Sequence, residues 1–489
     1  MSRASGSHPP NADSAAATVN ACPSLTGRQS GAAAGGGVGL CTRSAPSGCA
    51  AGAWIGAHLA AASLAGVIDI RLLREDFDAV APALSRRGVT PDTLQDVVKL
   101  DEQRRALIAE GDGLRAQQRR LGREVGAAAP GDKPALIAQV QQVSRRLAEL
   151  EPEQVQVQQR LDQAMISLPN LPHPQVPDGS TEDDAVEVSR FGQRPTFDFG
   201  VRDHVEIGEA LGLIDIPRGV KVAGSRNAYL LGQAVLLEFA LVRYALDRVA
   251  ERGFTPVIPP VLSRAEALYG TGFLPASEDQ LYKIGGDDAD SDLYLVGTSE
   301  VPLAGLHMDE ILAGDDLPLR YAGFSTNFRR EAGTYGKDTR GILRLHQFDK
   351  VEMFTFTTPE ASWDEHERLR DIQVDIMTGL GLHGRVVDIA VGDLGAPAAR
   401  KYDLEVWLPG QQAYRELTSA SNCTDYQARR LRCRYRVGDG PTEMVHTLNG
   451  TACAVGRTII AVLENHQRAD GTVAVPPALV SYLGAEVIG

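Results

Sequence analysis

The stretch FRREAGTYGKDTRGILRLHQFDKVEMFTF, residues 328–356, decides the fold. Phe328-Arg329-Arg330-Glu331 reads as the end of a strand, Gly333 to Gly341 as a glycine-rich loop, and Ile342 to Phe356 as a second strand. The two-residue period of a strand puts Arg344, His346, Phe348 and Glu352 on one face of the second strand. It puts Arg329 and Glu331 on one face of the first. A sheet built only for packing would place aliphatics there; arginine, phenylalanine and glutamate together point to a polar ligand.

The same theme continues on both sides of this stretch. From about residue 197 to the C-terminus, strands follow one another directly instead of alternating with helices, which predicts an α+β domain with an antiparallel sheet and flanking helices. There is no Walker loop and no GxGxxG, so a nucleotide bound here needs a different scaffold. Polar clusters recur at Thr298-Ser299-Glu300, at Glu416-Leu417-Thr418-Ser419, and at Asn449-Gly450-Thr451, which leads to Gly456-Arg457 and an apolar helix from Thr458 to Leu463. Each is weak alone. Gly456 would let a backbone approach a ligand closely, and an arginine at a helix start is more often a surface charge.

Upstream lies a different architecture. Ile70, Leu73, Phe77, Val80 and Leu84 recur at spacings of three and four, predicting one helix over 68–87 that Gly88 stops. Leu100, Leu107, Leu114 and Leu121 then fall every seven residues. After a break at Gly126 to Pro134, Leu136, Val140, Val143, Leu147, Leu150, Val157 and Leu161 resume the pattern, with Gln154 filling one position. Two heptad runs joined by a short Ala/Gly/Pro segment predict an antiparallel coiled-coil arm about 45 Å long, kinked at Pro152. From Asp101 to Asp162 it carries ten Lys/Arg and ten Asp/Glu. Near its tip Arg115, Arg119 and Arg123 form a stripe with Arg120 beside it. That stripe reads either as a solvated face or as a phosphate-binding surface. Residues 168–195 form a linker rich in proline and acid.

The chain has 489 residues, 43% of them hydrophobic, and a net charge of −14, which excludes broad non-specific coating of nucleic acid but not a local basic patch. No apolar run has the length and purity of a membrane span. Cys22, Cys41, Cys49, Cys423, Cys433 and Cys453 form no CxxC pair and read as reduced thiols of a cytosolic protein. Residues 1–66, rich in Ala, Gly and Ser with Asp13 as the single acid, cannot build a core. A transit peptide, a secretory signal and a natural start downstream compete as explanations. The abrupt break at Val67-Ile68-Asp69 favours the downstream start.

Taken together, Phe328-Arg329-Arg330-Glu331-Ala332-Gly333, Arg340-Gly341, Arg344-Leu345-His346-Gln347-Phe348 and Glu352 resemble motif 2 of class II aminoacyl-tRNA synthetases in its seryl form. Gly456-Arg457-Thr458 with Glu464-Asn465-His466-Gln467 resembles motif 3. The segment Gly232 to Arg252, followed by Gly253-Phe254-Thr255-Pro256-Val257-Ile258-Pro259-Pro260, resembles motif 1. The long hairpin is similar to the N-terminal arm of the seryl enzymes. The resemblance covers residues 67–489 and implies three parts: an extension at 1–66, a tRNA-binding domain with its arm at 67–175, and a class II catalytic domain at 176–489.

The resemblance also implies chemistry. Such enzymes join L-serine to ATP as seryl-adenylate and transfer serine to the 3′ end of tRNA(Ser), and of tRNA(Sec) where it exists. The serine carboxylate is already ionised, so in-line attack on the α-phosphorus needs positioning and charge compensation, not a general base. By this analogy Arg329 meets the α-phosphate and serine carboxylate, with Arg330 beside it. Glu331, Leu345 and Phe348 serve adenine, with Arg457 on its other face. Arg344 and Arg457 lie near the outer phosphates. Glu416 and Ser419 hold Mg2+, a hard ion that prefers oxygen, with Leu417 and Thr418 between them. Arg329, Glu416 and Arg457 are the expected catalytic set. Thr298 and Glu300 bind the serine amino group, with Ser299 between them in the serine site, and Glu352, Asn449 and Thr451 surround its hydroxyl. Arg115, Arg119, Arg120 and Arg123 would contact tRNA. The family is a cytoplasmic homodimer, although leucine heptads alone also fit ordinary coiled-coil dimerisation. A relative that loads a carrier protein would lack the arm, and a non-catalytic binder would have lost Arg329, Arg457 or Glu416.

Overall fold

The computed structural model describes residues 68–285, 293–333, 336, 338 and 340–489. The expectations for residues 1–66, including those on Cys22, Cys41 and Cys49, lie outside the described residues.

The segment read as one helix over 68–87 is two, α1 (Ile70–Glu75) and α2 (Phe77–Ser85). Asp76 leaves the helical basin at φ −141° and ψ 44°, so the chain bends while Leu73, Val80 and Leu84 still reach one core. Gly88 then turns the chain at φ 79°. The arm is α3 (Pro91–Ala127) and α4 (Lys133–Ile166), of 37 and 34 residues. The Thr90 side chain accepts from the Thr93 N–H, and Pro91 presets the first turn. Pro152 lies inside α4 without ending it.

The arm's seam is only partly leucine. Gly111 lets the helices approach so closely that a Cβ would meet Gln154 Nε2 at 3.0 Å and Leu150 Cδ2 at 3.2 Å. Gln154 Nε2 donates across the seam to the Leu107 carbonyl at 2.7 Å, and Gln118 Nε2 to Ser144 Oγ at 2.8 Å. Such bonds fix register, a role one polar seam position often plays. At the base, Leu94, Val97, Leu161 and Met165 share a core with Leu73, Val80, Leu84 and Tyr426. Arg87 donates to the carbonyls of Asn170, Leu394, Gly395 and Ala398, and its burial lowers its pKa to about 10. The proline-rich linker is strapped down by backbone bonds, among them Asn170 N–H to Ala396 and His173 N–H to Ala399.

Among the described residues, eight strands make the central sheet: β1 (Val186–Phe191), β2 (Thr255–Val257), β3 (Leu319–Phe328), β4 (Gln347–Thr357), β5 (Gly384–Asp388), β6 (Arg400–Leu408), β7 (Ala413–Asn422) and β8 (His446–Ala454). Their spatial order is β1-β5-β6-β7-β8-β4-β3-β2. Every pair is antiparallel except β2 with β3. Helices α5 (His204–Ala210), α6 (Gln233–Ala250), α7 (Ser362–Gly379), α8 (Tyr426–Leu431) and α9 (Val455–Asn465) surround it.

Strand β4 explains where the site sits. Val351 and Met353 point into the main core with Leu237, Leu241, Ile376 and Ile459 from the helices. On the other face Phe348, Lys350 and Glu352 line a cleft, and further along Phe354 and Phe356 fill a separate apolar cluster with Leu303 and Leu431. The period of two therefore holds along β4. It does not hold before it: β4 begins at Gln347 and β3 ends at Phe328, so Arg344, His346, Arg329 and Glu331 belong to the connecting loop. Glu331 adopts φ 51°, which breaks strand alternation.

Candidate active site

The cleft encloses about 850 Å³ and is lined by Thr298, Glu300, Arg329, Glu331, Arg344, Leu345, Phe348, Glu352, Glu416, Leu417, Ser419, Asn449, Thr451 and Arg457. Fourteen residues chosen from sequence thus meet in one space. Three do not. The buried Ser299 hydroxyl donates to the Gly323 carbonyl, Thr418 is buried away from the cleft, and Arg330 is exposed with its N–H on the Gln280 carbonyl. The side chains of these three do not line the cleft. Of the three, only Thr418 lies within a strand, where neighbouring side chains alternate faces; Ser299 stands at the N-cap of the helix Glu300–Ala304 and Arg330 follows the end of β3.

Spacing alone would also separate Glu416 from Ser419, because residues three apart on a regular strand face opposite ways. A bulge resolves this. Leu404 pairs with Thr418 and Glu405 with Glu416, leaving Leu417 as the extra residue, and both Glu416 and Ser419 open on the cleft. A second bulge on β8 at Ala452 brings Thr451 opposite Glu352.

At one end the groups are small and polar. Thr451 Oγ1 donates to Glu352 Oε2 at 2.9 Å, and Asn449 Nδ2 bridges Glu352 Oε1 at 3.2 Å and Glu300 Oε2 at 3.3 Å. Gln427 Nε2 donates to Glu300 Oε1 at 2.8 Å. Burial, together with the nearby Glu352 charge, pushes the Glu300 carboxyl up to about 7.

In the middle and at the other end are cations and an aromatic ring. Arg329 Nε donates to the Gly297 carbonyl at 3.1 Å, and its guanidinium carbon lies 5.2 Å from the Phe348 ring centre. Burial lowers the Arg329 pKa against the opposing pull of Glu331. Arg457 Nη1 donates to the Glu416 carbonyl at 2.6 Å and carboxylate at 3.2 Å. Burial raises the Glu416 carboxyl, but Lys401, Arg457 and Arg329 outweigh it and hold it at about 2. Arg344 pairs with Glu331 at 2.8 Å and, more loosely, with Asp338 at 3.6 Å. Among the described residues no three His, Cys, Asp or Glu gather as a metal cage.

The loop before β4 is clamped from several sides. Gln280 exchanges two amide bonds with the Ala332 backbone, at 2.9 and 3.1 Å. The Ile342 N–H donates to His204 Nε2 at 3.3 Å, so Nδ1 carries the ring proton and donates to Glu464 at 2.9 Å. Gly341 sits against that ring at φ 83°, where a Cβ would fall 2.0 Å from Nε2.

Sequence reading missed Lys350, Lys401, Gln427 and the Asn227–Leu230 segment, all of which line the cleft or hold its walls. Lys350 was legible, since it shares the period-two face of Phe348 and Glu352; Gln427 comes from a distant helix and had no local signal. The arm arginines Arg115, Arg119, Arg120 and Arg123 are exposed on α3, away from the cleft. Arg115 pairs with Asp112 and Arg120 with Glu124, while Arg119 and Arg123 make no ion pair among the described residues. Cys423, Cys433 and Cys453 are free and buried. No described helix is long and apolar enough to cross a membrane.

A profile of the tRNA synthetase class II core domain (G, H, P, S and T) matches residues 282–466, and one of the seryl-tRNA synthetase N-terminal domain matches residues 67–172. The serine–tRNA ligase of Nocardia farcinica is 50% identical over 422 residues, covering 86% of this chain and 99% of that protein. The chain belongs to the seryl-tRNA synthetases. A second serine–tRNA ligase, from Rhodococcus opacus, is 49% identical over 86% of this chain and its own full length. Among solved members of the seryl-tRNA synthetases, that of Pyrococcus horikoshii complexed with ATP superposes with a TM-score of 0.81 at 42% identity, over 86% of this chain and 99% of that one. The cytoplasmic enzyme of Naegleria fowleri with AMP gives 0.78 at 33% identity, over 86% and 98%.

Proposed function

We propose that this chain, a serine–tRNA ligase by family, performs adenylate formation in the cleft and selects tRNA with the arm. The observation that carries the division is the charge sequence along the cleft: two buried carboxylates with Asn449 and Thr451 at one end, Arg329 next, and Phe348 with Arg457 and Arg344 beyond.

Serine's ammonium goes to Glu300 and its hydroxyl to Glu352, Asn449 and Thr451. A pocket that bonds a hydroxyl rejects alanine, because its buried polar groups would be left unpaired. Arg329 holds the carboxylate against the α-phosphate with two parallel donors, which orients the attack. Phe348 stacks on adenine, and Arg457 covers the opposite face. Glu331 turns to the adenine amino group, exchanging its bond with Arg344 as that arginine engages the outer phosphates. ATP binding agrees with the relative solved with ATP.

Glu416 and Ser419 fit Mg2+. The ionised carboxylate and the hydroxyl are hard oxygen donors that flank the bulge and both line the cleft, and two protein ligands suit an ion that completes its shell with phosphate and water. When bound, the ion offsets negative charge on the phosphates. Arg329 and Arg457 do the same from the protein side.

The arm domain at 67–175 presents Arg115, Arg119, Arg120 and Arg123 to the backbone of tRNA(Ser), and of tRNA(Sec) where that RNA exists. Residues 176–489 act as the catalytic domain of a cytoplasmic homodimer. The apolar side chains of Leu236, Phe239 and Ile258 support dimerisation, being exposed by 55%, 63% and 85%. A calorimetric titration with a non-hydrolysable seryl-adenylate analogue tests the cleft assignment: Phe348→Ala and Glu352→Gln should each weaken binding at least about tenfold. Unchanged affinity in both would refute it.

A further inference from the structure

Glu464 is fully buried near the end of α9, the helix whose first turn carries Arg457. Among the described residues its carboxylate accepts three N–H groups: the His204 backbone at 3.1 Å, His204 Nδ1 at 2.9 Å and the Gly410 backbone at 2.9 Å. Gly410 lies in the turn between β6 and β7, and β7 carries Glu416. His204 opens α5, is itself buried, and passes the contact on, since its Nε2 accepts the Ile342 N–H at 3.3 Å. A backbone N–H only donates, so the ring is neutral with its proton on Nδ1. The packing is close on both sides: a Cβ on Gly410 would fall 3.0 Å from Glu464 Oε2, and one on Gly341 2.0 Å from His204 Nε2. His204, Gly410 and Glu464 do not line the cleft, whereas Ile342, Leu343, Arg344 and Leu345 do. The far end of that segment is held by the His346 N–H on the Arg226 carbonyl at 3.1 Å and by the Arg329 N–H on the His346 carbonyl at 3.0 Å. His204 holds the near end.

We propose that His204 is a positioning residue for the nucleotide end of the cleft: with Glu464 it ties the Ile342–Leu345 segment to α9 and to the β6–β7 turn, and so fixes Arg344 and Leu345 relative to Arg457 and Glu416. These four groups come from a loop, a helix and a strand, and all three elements end on one buried pair. A carboxylate bonded by three N–H groups away from water makes a stiff joint, because movement leaves a buried charge short of donors. Imidazole suits the link. Its two nitrogens sit on opposite sides of a rigid ring, so it donates to the carboxylate and accepts from the loop at once. The inference rests on the reading that gives Arg344 and Leu345 to ATP.

Asparagine and glutamine separate the two nitrogens, because an Asn amide reaches the place of Nδ1 and a Gln amide that of Nε2. His204→Asn keeps a donor for Glu464 and loses the acceptor for Ile342. In ATP–pyrophosphate exchange with the full-length protein it should raise KM for ATP at least about fivefold and leave KM for serine within about twofold. His204→Gln keeps the acceptor and loses the bond to Glu464. Its KM for ATP should stay within about twofold, yet its thermal midpoint should fall further than that of His204→Asn, since the bond it loses is to a buried charge. Amide hydrogen exchange should find Ile342 protected in the wild type and in His204→Gln, and fast in His204→Asn. Should His204→Asn fail to fold, Gly341→Ala replaces it, its new Cβ pushing the ring off Ile342 with both nitrogens intact. A KM for ATP that follows the thermal midpoint instead of the acceptor, KM for ATP and for serine rising together, or an Ile342 amide as protected in His204→Asn as in the wild type would overturn the proposal. Amide exchange as expected with KM for ATP unmoved would overturn instead the reading that gives this segment to ATP.

Discussion

On the proposed assignment of Glu300 to serine's ammonium, serine recognition depends on pH, with a size set by the structure. Its carboxyl is raised from an ordinary 4.5 to about 7, by burial first and by the Glu352 charge second. At about 1.4 kcal/mol per unit, that shift favours the protonated form in the empty fold by about 3 kcal/mol. The sign follows directly. A carboxyl with a raised folded pKa adds stability that is complete below 4.5 and is lost as pH rises through about 7. Serine reverses the preference, since its ammonium needs the carboxylate. Below pH 7 the competent form falls about tenfold per pH unit, and kcat/KM for serine in ATP–pyrophosphate exchange should fall with it. At pH 6 it should be about a tenth of its plateau. Glu300→Gln should remove this limb, raise KM for serine by about 30-fold or more, and make the empty protein's thermal midpoint less sensitive to alkali. A wild-type profile flat between pH 6 and 8, or a limb that persists in Glu300→Gln, would refute the reasoning.

Other outcomes follow from the fold. Excising residues 107–154 of the arm spares the base core of Leu94, Val97, Leu161 and Met165. Exchange should stay within about twofold while serine transfer to tRNA falls at least about 100-fold in a charging assay; equal loss of both would make the arm structural. Phe348→Ala should raise KM for ATP by about tenfold or more through lost stacking, worth about 1–3 kcal/mol, with KM for serine little changed in the same kinetics. Phe239→Asp places a charge on the exposed apolar face of α6 and should give a monomer by sedimentation, whereas an unchanged species would move the subunit contact elsewhere.

Much of this was legible because two periods carry it. The heptads gave the arm, and the two-residue alternation gave the cleft face of β4, down to Phe348 and Glu352. What alternation could not give was where strands stop. Arg329, Glu331 and Arg344 work from a loop held by Gln280, Arg226 and His204, partners about 50 to 140 residues away in the chain. Nor could it give the bulges at Leu417 and Ala452, which bring Ser419 and Thr451 to the cleft against simple spacing. The helix break at Asp76 was hidden because both halves feed one core, so the apolar spacing runs straight across it. Ser299, Thr418 and Arg330 belong to the same short motifs as cleft residues, and the local sequence did not show that their side chains stay off the cleft.

Amino-acid-dependent ATP–pyrophosphate exchange over a panel of amino acids tests the central claim most directly. Serine should drive exchange, with alanine, glycine and threonine each at least about 100-fold lower in kcat/KM. Faster exchange with alanine or glycine, or none with serine, would contradict the assignment of the Glu300, Glu352, Asn449 and Thr451 pocket to serine.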